Sequence, residues 1–413
     1  MPAVLEGIRV LDFSRIGAGP LSAQMLGDLG ADVIKVEDVE GGMLDRRVTY
    51  PWLNDEALLV LQMNRNKRSI AVDISSPEGK EIIYKLARQS DVVVTNFRPS
   101  VKKRLKVAYE DLRRLNEKII YVSVSGFGET GPYSEKKGQD LLAQAMSGAM
   151  WMNSFADNPP IPIGTLIADL DTAKLSAYGV LAAIIARDRF GVGQEVQVSL
   201  LDTMVDLQMH DAFYQLNGGG MYRRGRHGRG NSFGSGVPYG AYETSDGKWI
   251  AISAGLAEVC YALGIEDLSQ DPRYDTWEKQ REHQVELWKF VERALAEHTA
   301  EQALGLFEAA DIWAAPVYDY EETFLDPQVL HNKMLIEVEN PRGGTFKTTG
   351  MPVKLSHTPA GPRRRPPRYA EHTAEVLESL GYSPSAIKKL AEKRAERSVV
   401  VLGEAPALSL IHI

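Results

Sequence analysis

The sequence predicts an α/β fold, a parallel sheet with helices on both faces, accompanied by a smaller second domain. Two patterns carry that expectation. Short runs rich in Val and Ile alternate with helix-like segments through the first half of the chain, as strands buried on both faces of a parallel sheet require. A Gly- and Arg-rich stretch, "NGGGMYRRGRHGRGNSFGSG", then breaks the alternation, and a mostly helical region follows from about residue 239 to 317.

Taken in order, "GIRVLDF" reads as a strand and "AGPLSAQMLGDLGA" as a helix, with Pro20 in a first turn where its missing N–H is no loss. "DVIKVE" and "SIAVDI" are strands. "SPEGKEIIYKLARQS" is a helix opened by Ser and Pro, "DVVVTNF" a strand, "AYEDLRRLNE" a helix and "KIIYVSVSGF" a strand. A long helix is expected over about residues 172–189, and "QEVQVSLLDTMVDLQ" passes from strand to helix. "YGAYETSDGKWIAIS" reads as a hairpin turning at "SDG", and a final helix pair falls at "HTAEVLESL" and "SPSAIKKLAEKRAE". Local pattern says nothing of the order in which strands pair.

The 413 residues are 44% hydrophobic, ample for a large core and enough for two domains. A formal net charge of -8 argues against wholesale binding of nucleic acid. Cys260 is the one cysteine, which excludes an internal disulfide and a cysteine-rich metal site, and the histidines lack metal-ligand spacing, so no metal is expected. The start, "MPAVLEGIRVLDF", lacks the basic region and apolar core of a signal peptide, and "GVLAAIIA" is too short to span a bilayer. A cytoplasmic protein with no membrane partner is expected.

Three segments invite chemistry. The turn "SRIGAGPLSA" has Gly17 and Gly19 without the third glycine of a dinucleotide loop, so it is either an anion site at a helix N-terminus or only a tight turn. Lys67 and Arg68, then Arg98, Lys102, Lys103 and Arg104, follow or precede strands whose loops meet along one crevice in a doubly wound sheet. A polyphosphate ligand and ordinary solvated loops fit these cations equally well. Asp169 and Asp171, in "IADLDTAKLSAYG", stand just before a long apolar run, as caps or as a catalytic carboxylate.

The sequence resembles the class III CoA-transferases, the family that includes formyl-CoA transferase, carnitine CoA-transferase and α-methylacyl-CoA racemase. The resemblance lies in "GIRVLDFSRIGAGPLSAQMLGDLGADVIKVE", "NRNKRSIAVDISSPEGKE", "DVVVTNFRP", "SVSGFGETGPY", "QDLLAQAMSG", "ADLDTAKLSAYGVLAAI" and "YGAYETSDGKWIAI", in family order from about residue 5 to 385. It implies a large Rossmann-like domain built from both chain ends (1–220 and 326–413), a small α+β domain between (221–325), and an interlocked homodimer. It also implies that Asp169 attacks an acyl-CoA thioester, with Asp171 left as an N-cap or first-turn residue. The helix N-terminus would keep Asp169 ionised, and its N–H groups would steady the oxyanion formed.

For CoA, a substrate and not a resident cofactor, the resemblance points to Ile16, Ala18, Val72, Ile74, Ser75, Asn96, Phe97, Arg98, Arg104 and Lys137. Gly17 and Gln139 would face the acyl group. Formyl-CoA transferase has Gln where Gly17 stands, Arg for Asp38, Lys for Ser75 and Tyr for Gln139. Two cations are thereby lost, which makes Arg46, Arg47 and Arg98 candidates for the phosphates and argues against formyl-CoA:oxalate exchange. Its glycine-dense active-site loop has only the looser "GNSFGSG" here. The racemase branch needs a Gly-His-Asp motif, and "KKGQDLLAQ" has Gln139 where that histidine would be. Glutamine shuttles no proton at neutral pH, which favours transfer over racemisation. "YRRGRHGRGN" would serve as an interdomain linker, or bring one arginine to an acceptor carboxylate. A non-catalytic CoA-binding protein is the third reading, with the intact Asp169 block against it.

Overall fold

The computed structural model describes residues 2–42, 46, 51–153, 158–217, 236–392 and 398–403. Strand β1 (Arg9–Asp12) leads into α1 (Ala18–Asp28), β2 (Asp32–Glu37), β3 (Lys67–Val72), α2 (Pro77–Arg88), β4 (Val92–Thr95), α3 (Pro99–Leu105) and β5 (Ile120–Ser125). There follow α4 (Asp140–Met146), α5 (Ile167–Phe190), β6 (Glu195–Ser199), α6 (Leu200–Asp206), β7 (Gly240–Glu243), β8 (Trp249–Ser253), β9 (Trp313–Pro316) and β10 (Val400–Val401).

Among the described residues, β10 and β1 to β6 form a seven-stranded sheet in the order β10-β3-β2-β1-β4-β5-β6. Every pairing among β1 to β6 is parallel, and β10 runs antiparallel along the β3 edge. Strand order therefore reverses between β1 and β4, the point at which open α/β sheets leave a crevice beyond their strand ends. The expected parallel α/β architecture is present.

Period-two alternation divides each strand between two cores. Leu11, Phe13, Ile34, Val36, Ile70, Val72 and Val93 pack with Ile82, Ile83 and Leu86 of α2 and with Val376, Leu377 and Ile387 of the final helix pair. Ser76 caps α2 by accepting the Gly79 N–H at 3.0 Å, with Pro77 in its first position, as the sequence pattern requires. Helices α1 and α5 pack together, with Leu21, Met63 and Ala173 buried between neighbouring segments.

One interior face is charged. Lys67 and Asp12, both fully buried, pair at 2.9 Å, and Lys67 also donates to the Pro20 carbonyl at 2.8 Å. The other oxygen of Asp12 accepts from the N–H and the hydroxyl of Ser14. Lys67 thus ties β3 to the end of β1 and the first turn of α1. Lys67, an anion-site candidate by sequence, is a structural cation. Arg68 pairs with Asp32 at 2.6 Å and Glu375 at 2.9 Å, and likewise stays with the scaffold.

The chain divides into two units, one of Met1–Ser147, Gly164–Asp206 and Asn332–Ile413, the other of Gly148–Ile163 and Leu207–His331. In the second unit β7, β8 and β9 make an antiparallel sheet in the order β9-β8-β7. Trp249 pairs with Glu243 across the expected hairpin, and Gly247 turns it at φ 74°. Tyr242, Ile250, Ile252, Val259, Leu287 and Phe307 fill this unit's core.

Candidate active site

At the reversal of strand order, the loops after β1 and β4 stand side by side and Asn96 joins them. Its Oδ1 accepts the Arg15 N–H at 2.9 Å, while its Nδ2 donates to the Arg15 carbonyl at 2.9 Å and the Ile16 carbonyl at 3.3 Å. A cavity of about 530 Å³ opens there. It is lined by Ile16 and Ala18 from one loop, Asn96, Phe97 and Arg98 from the other, and Lys136, Lys137, Gln139 and Asp169 from elements further along the chain. Eight of the residues expected at a CoA and acyl site thus share one cavity.

Gly17 lies against Asp169 without lining that space, and four others stand apart from it. Val72 is 1% exposed inside the core and offers a ligand no side-chain surface, while Ile74 packs against the same core. Ser75 is exposed, its hydroxyl on Asp73 Oδ1 at 2.5 Å, and Arg104 is exposed in the last turn of α3. Arg46 is not available to a phosphate. It is buried, with its guanidinium on Glu37 at 2.7 Å, Glu56 at 3.0 Å and the Pro367 carbonyl at 3.0 Å. Arg47 and the Arg-rich run with Arg223, Arg224, Arg226, His227 and Arg229 lie outside the described residues, as does all of "GNSFGSG" but Gly236.

Helix α5 begins at Ile167, five residues earlier than the apolar periodicity suggests, so Asp169 sits inside its first turn. Asp171 lies beyond that turn and is not a cap; it pairs with Lys174 at 3.6 Å. Asp169 Oδ1 accepts the Ala18 N–H at 3.1 Å, at the start of α1. Burial raises its carboxyl to about 6, with the Asp140 charge adding to the rise and the Ala18 hydrogen bond opposing it. The sequence suggests the opposite direction, a helix N-terminus holding the acid low. Desolvation wins here because the helix's first N–H groups point at another acceptor.

That acceptor is Asp140, which the sequence analysis missed. Its Oδ2 takes the Ala168 N–H at 2.8 Å and the Asp169 N–H at 3.1 Å. Neither N–H is therefore free to steady an oxyanion. Asp140 opens α4, and the amide of Gln144 one turn on donates to its Oδ1 at 2.6 Å; nothing local links either residue to α5.

Gly17 makes this arrangement possible. It holds φ 84° and ψ -135°, a region almost reserved for glycine. A β-carbon there would stand 2.6 Å from Asp169 Oδ1 and 2.8 Å from its Cγ. Any side chain there needs the Asp169 carboxylate or the Gly17 backbone to shift, which disturbs the hydrogen bond from the Ala18 N–H. Gly17→Ala is expected to lower kcat for CoA transfer about tenfold through that displacement. Steady-state kinetics on the folded variant, with an unchanged KM for acyl-CoA, checks it.

The cavity wall opposite is the loop between β5 and α4. Its ends meet where Gly126 and Gly138 pass so close that a β-carbon on Gly138 would lie 2.4 Å from the Gly126 Cα. Glu129 pairs with buried Lys102, which also donates to Ser123 Oγ at 3.0 Å. Glu135 accepts the N–H of Ser100 at 2.9 Å and its hydroxyl at 2.7 Å. Lys136 rests its ammonium 3.8 Å from the centre of the Tyr133 ring. The loop is thus closed at its base by the two glycines and tied to α3 through Glu129 and Glu135, and it carries Lys136 and Lys137.

Residues 5–373 match the model of CoA-transferase family III. The chain belongs to that family. It is a class III CoA-transferase, 37% identical over 392 residues to succinyl-CoA:glutarate CoA-transferase of Mus musculus, spanning 94% of this chain and 88% of that one. It is 32% identical to formyl-CoA:oxalate CoA-transferase of Escherichia coli O157:H7, over 96% of this chain and 100% of that one. A CAIB/BAIF family protein from Brucella suis superposes with a TM-score of 0.81 at 31% identity, over 92% of this chain and all of that one. Among the described residues of this transferase, no group of carboxylate, His and Cys side chains is placed to hold a metal ion, and no helix is long and apolar enough to cross a membrane.

Proposed function

We propose that this transferase moves CoA from an acyl-CoA donor such as succinyl-CoA to a dicarboxylate acceptor, through covalent intermediates on Asp169. The observation that carries the reading is the position of Asp169, half-buried in the cavity at the reversal of strand order and held by the Ala18 N–H. An ionised Asp169 oxygen adds to the thioester carbonyl carbon, the C–S bond breaks, and CoA leaves as thiolate, giving a mixed anhydride. The thiolate then attacks the aspartyl carbonyl, releasing the donor carboxylate and leaving an aspartyl-CoA thioester. Acceptor carboxylate repeats the exchange in reverse, so acceptor-CoA departs and Asp169 is regenerated.

Arg98, Lys136 and Lys137, all lining the cavity, suit the phosphates of CoA or the free end of a dicarboxylate. Transfer between dicarboxylates also agrees with the names of relatives that act on succinyl-CoA with glutarate or D-citramalate. Apart from the side chain of Val72, which is buried in the core, the remaining CoA contacts implied by the resemblance, at Ile74, Ser75 and Arg104, belong to the same proposal. So do a large domain built from both chain ends and a small one between, with bounds nearer those of the two units described above than 1–220, 221–325 and 326–413, and the interlocked homodimer. For the dimer, the support is the exposure of Tyr178, Ile185 and Phe190 along α5.

Incubation with succinyl-CoA and hydroxylamine, followed by peptide mapping by mass spectrometry, tests the reading. A hydroxamate at Asp169 is expected, with new CoA thioesters of glutarate and related dicarboxylates. Absence of an adduct with any donor, together with solvent exchange of the α-hydrogen of a 2-methylacyl-CoA, replaces the transferase mechanism with a racemase one.

A further inference from the structure

We infer that Asp140 is a positioning residue for Asp169: from a separate helix it fixes the backbone of the nucleophile and sets the charge beside it. The inference rests on the reading of Asp169 as the nucleophile.

A helix leaves its first N–H groups without partners, and a polar side chain at the N-cap ordinarily accepts from one of them. In α5 the N-cap position holds Leu166, which has nothing to offer. Asp140, at the first position of α4, performs the task in its place. One carboxylate oxygen receives the N–H groups of Ala168 and of Asp169 itself, at 2.8 and 3.1 Å, so the peptide group of the nucleophile is held directly. The other oxygen is held by Gln144, whose amide also lies 3.4 Å from the Thr165 carbonyl just upstream of α5. Asp140 and Gln144 are 3% and 2% exposed. A buried carboxylate accepting three hydrogen bonds, with no cation on it in the hydrogen bonds described, is costly to keep unless its placement matters.

Two consequences meet at Asp169. With its N–H anchored to α4 and its side chain anchored to Ala18 on α1, the carboxylate is fixed between two elements, as an attacking group must be. The negative charge of Asp140 also disfavours ionisation of Asp169, and so makes the carboxylate, once formed, more basic. The other charged groups facing the same cavity are Arg98, Lys136 and Lys137; on α5 itself, Asp171 and Lys174 lie 3.6 Å apart.

Asp140→Asn keeps an acceptor oxygen of the same shape and removes the charge, while Asp140→Ala removes both. For each variant, kcat and KM for succinyl-CoA transfer are measured across pH, together with hydroxylamine trapping at Asp169, thermal melts reporting folding. Asp140→Asn is expected to move the acid limb of kcat/KM to lower pH at nearly unchanged KM. Asp140→Ala is expected to lower kcat about 100-fold and to slow trapping in parallel. An acid limb for Asp140→Asn that coincides with the wild-type limb overturns the electrostatic role, and a wild-type kcat in folded Asp140→Ala overturns the positioning role. Should Asp140→Ala fail to fold, the pH profile of the isosteric variant decides. Lack of an Asp169 adduct in the wild-type protein is a different failure, that of the nucleophile assignment itself.

Discussion

Asp169→Asn is expected to abolish CoA transfer while making the folded protein more stable. The amide has nearly the shape of the carboxylate and can still accept from the Ala18 N–H, but it presents no nucleophile to a thioester. Loss of a covalent nucleophile costs on the order of 10³-fold in kcat or more, and the hydroxylamine adduct disappears with it. The stability gain follows from the raised carboxyl, whose value of about 6 stands above the ordinary 3.8. Between these values the folded protein binds the proton that the unfolded chain releases, so stability falls as pH rises from about 4 to about 6 and stays low above. The amide removes that burden, worth about 1–2 kcal/mol at neutral pH after allowance for partial exposure. A higher melting temperature at pH 7.5 with the difference vanishing near pH 4 is the expected signature. In the wild-type protein kcat/KM should fall below pH 6 as Asp169 takes up its proton.

Gly138→Ala is expected to cripple acyl-CoA binding from a position that carries no reactive group. Its β-carbon would stand 2.4 Å from the Cα of Gly126 and 3.2 Å from the Gly126 nitrogen. Both neighbours are backbone, so neither can swing aside as the end of a flexible side chain would. Relief requires the loop base to open, at a cost of about 1–3 kcal/mol. The chain on one side of Gly138 is Lys137, and on the other Gln139 leads into Asp140. Displacing these groups by about 1 Å lowers kcat/KM about 100-fold, mostly through KM for acyl-CoA. Titration of CoA binding alongside kinetics checks this: a variant that binds CoA as the wild type does would show that the loop base tolerates opening.

Much of the scaffold was legible from local pattern. Val- and Ile-rich runs marked β2, β3, β4 and β5 because strands buried on both faces tolerate little else. Ser76 and Pro77 marked the start of α2, and "SDG" the turn between β7 and β8, because these residues act on their own backbone. The start of α5 was misjudged for the complementary reason. Its cap is contributed by Asp140, separated from Asp169 by 29 positions, and no local pattern reveals an acceptor that distant.

The cations show the same division. Lys67, Arg46, Arg98 and Lys137 are all basic residues near loops, and charge and spacing alone offer no way to rank them as ligands for an anion; only the resemblance singled out Arg98 and Lys137. Lys67 and Arg46 proved to be paired inside the core, whereas Arg98 and Lys137 line the cavity. What separates them is burial against a carboxylate from elsewhere in the chain.

By itself, then, the sequence determined most element types and the family, since these depend on short blocks whose meaning is local, and it offered Asp169 as the candidate carboxylate only through the family resemblance. The tertiary structure alone decided the order β3-β2-β1-β4-β5-β6, the crevice at its reversal, and the company kept there by Asp169: the Ala18 N–H, the Gly17 backbone and Asp140. Pairing order, burial and electrostatic surroundings all depend on residues brought together from far apart, and that is information no local pattern contains.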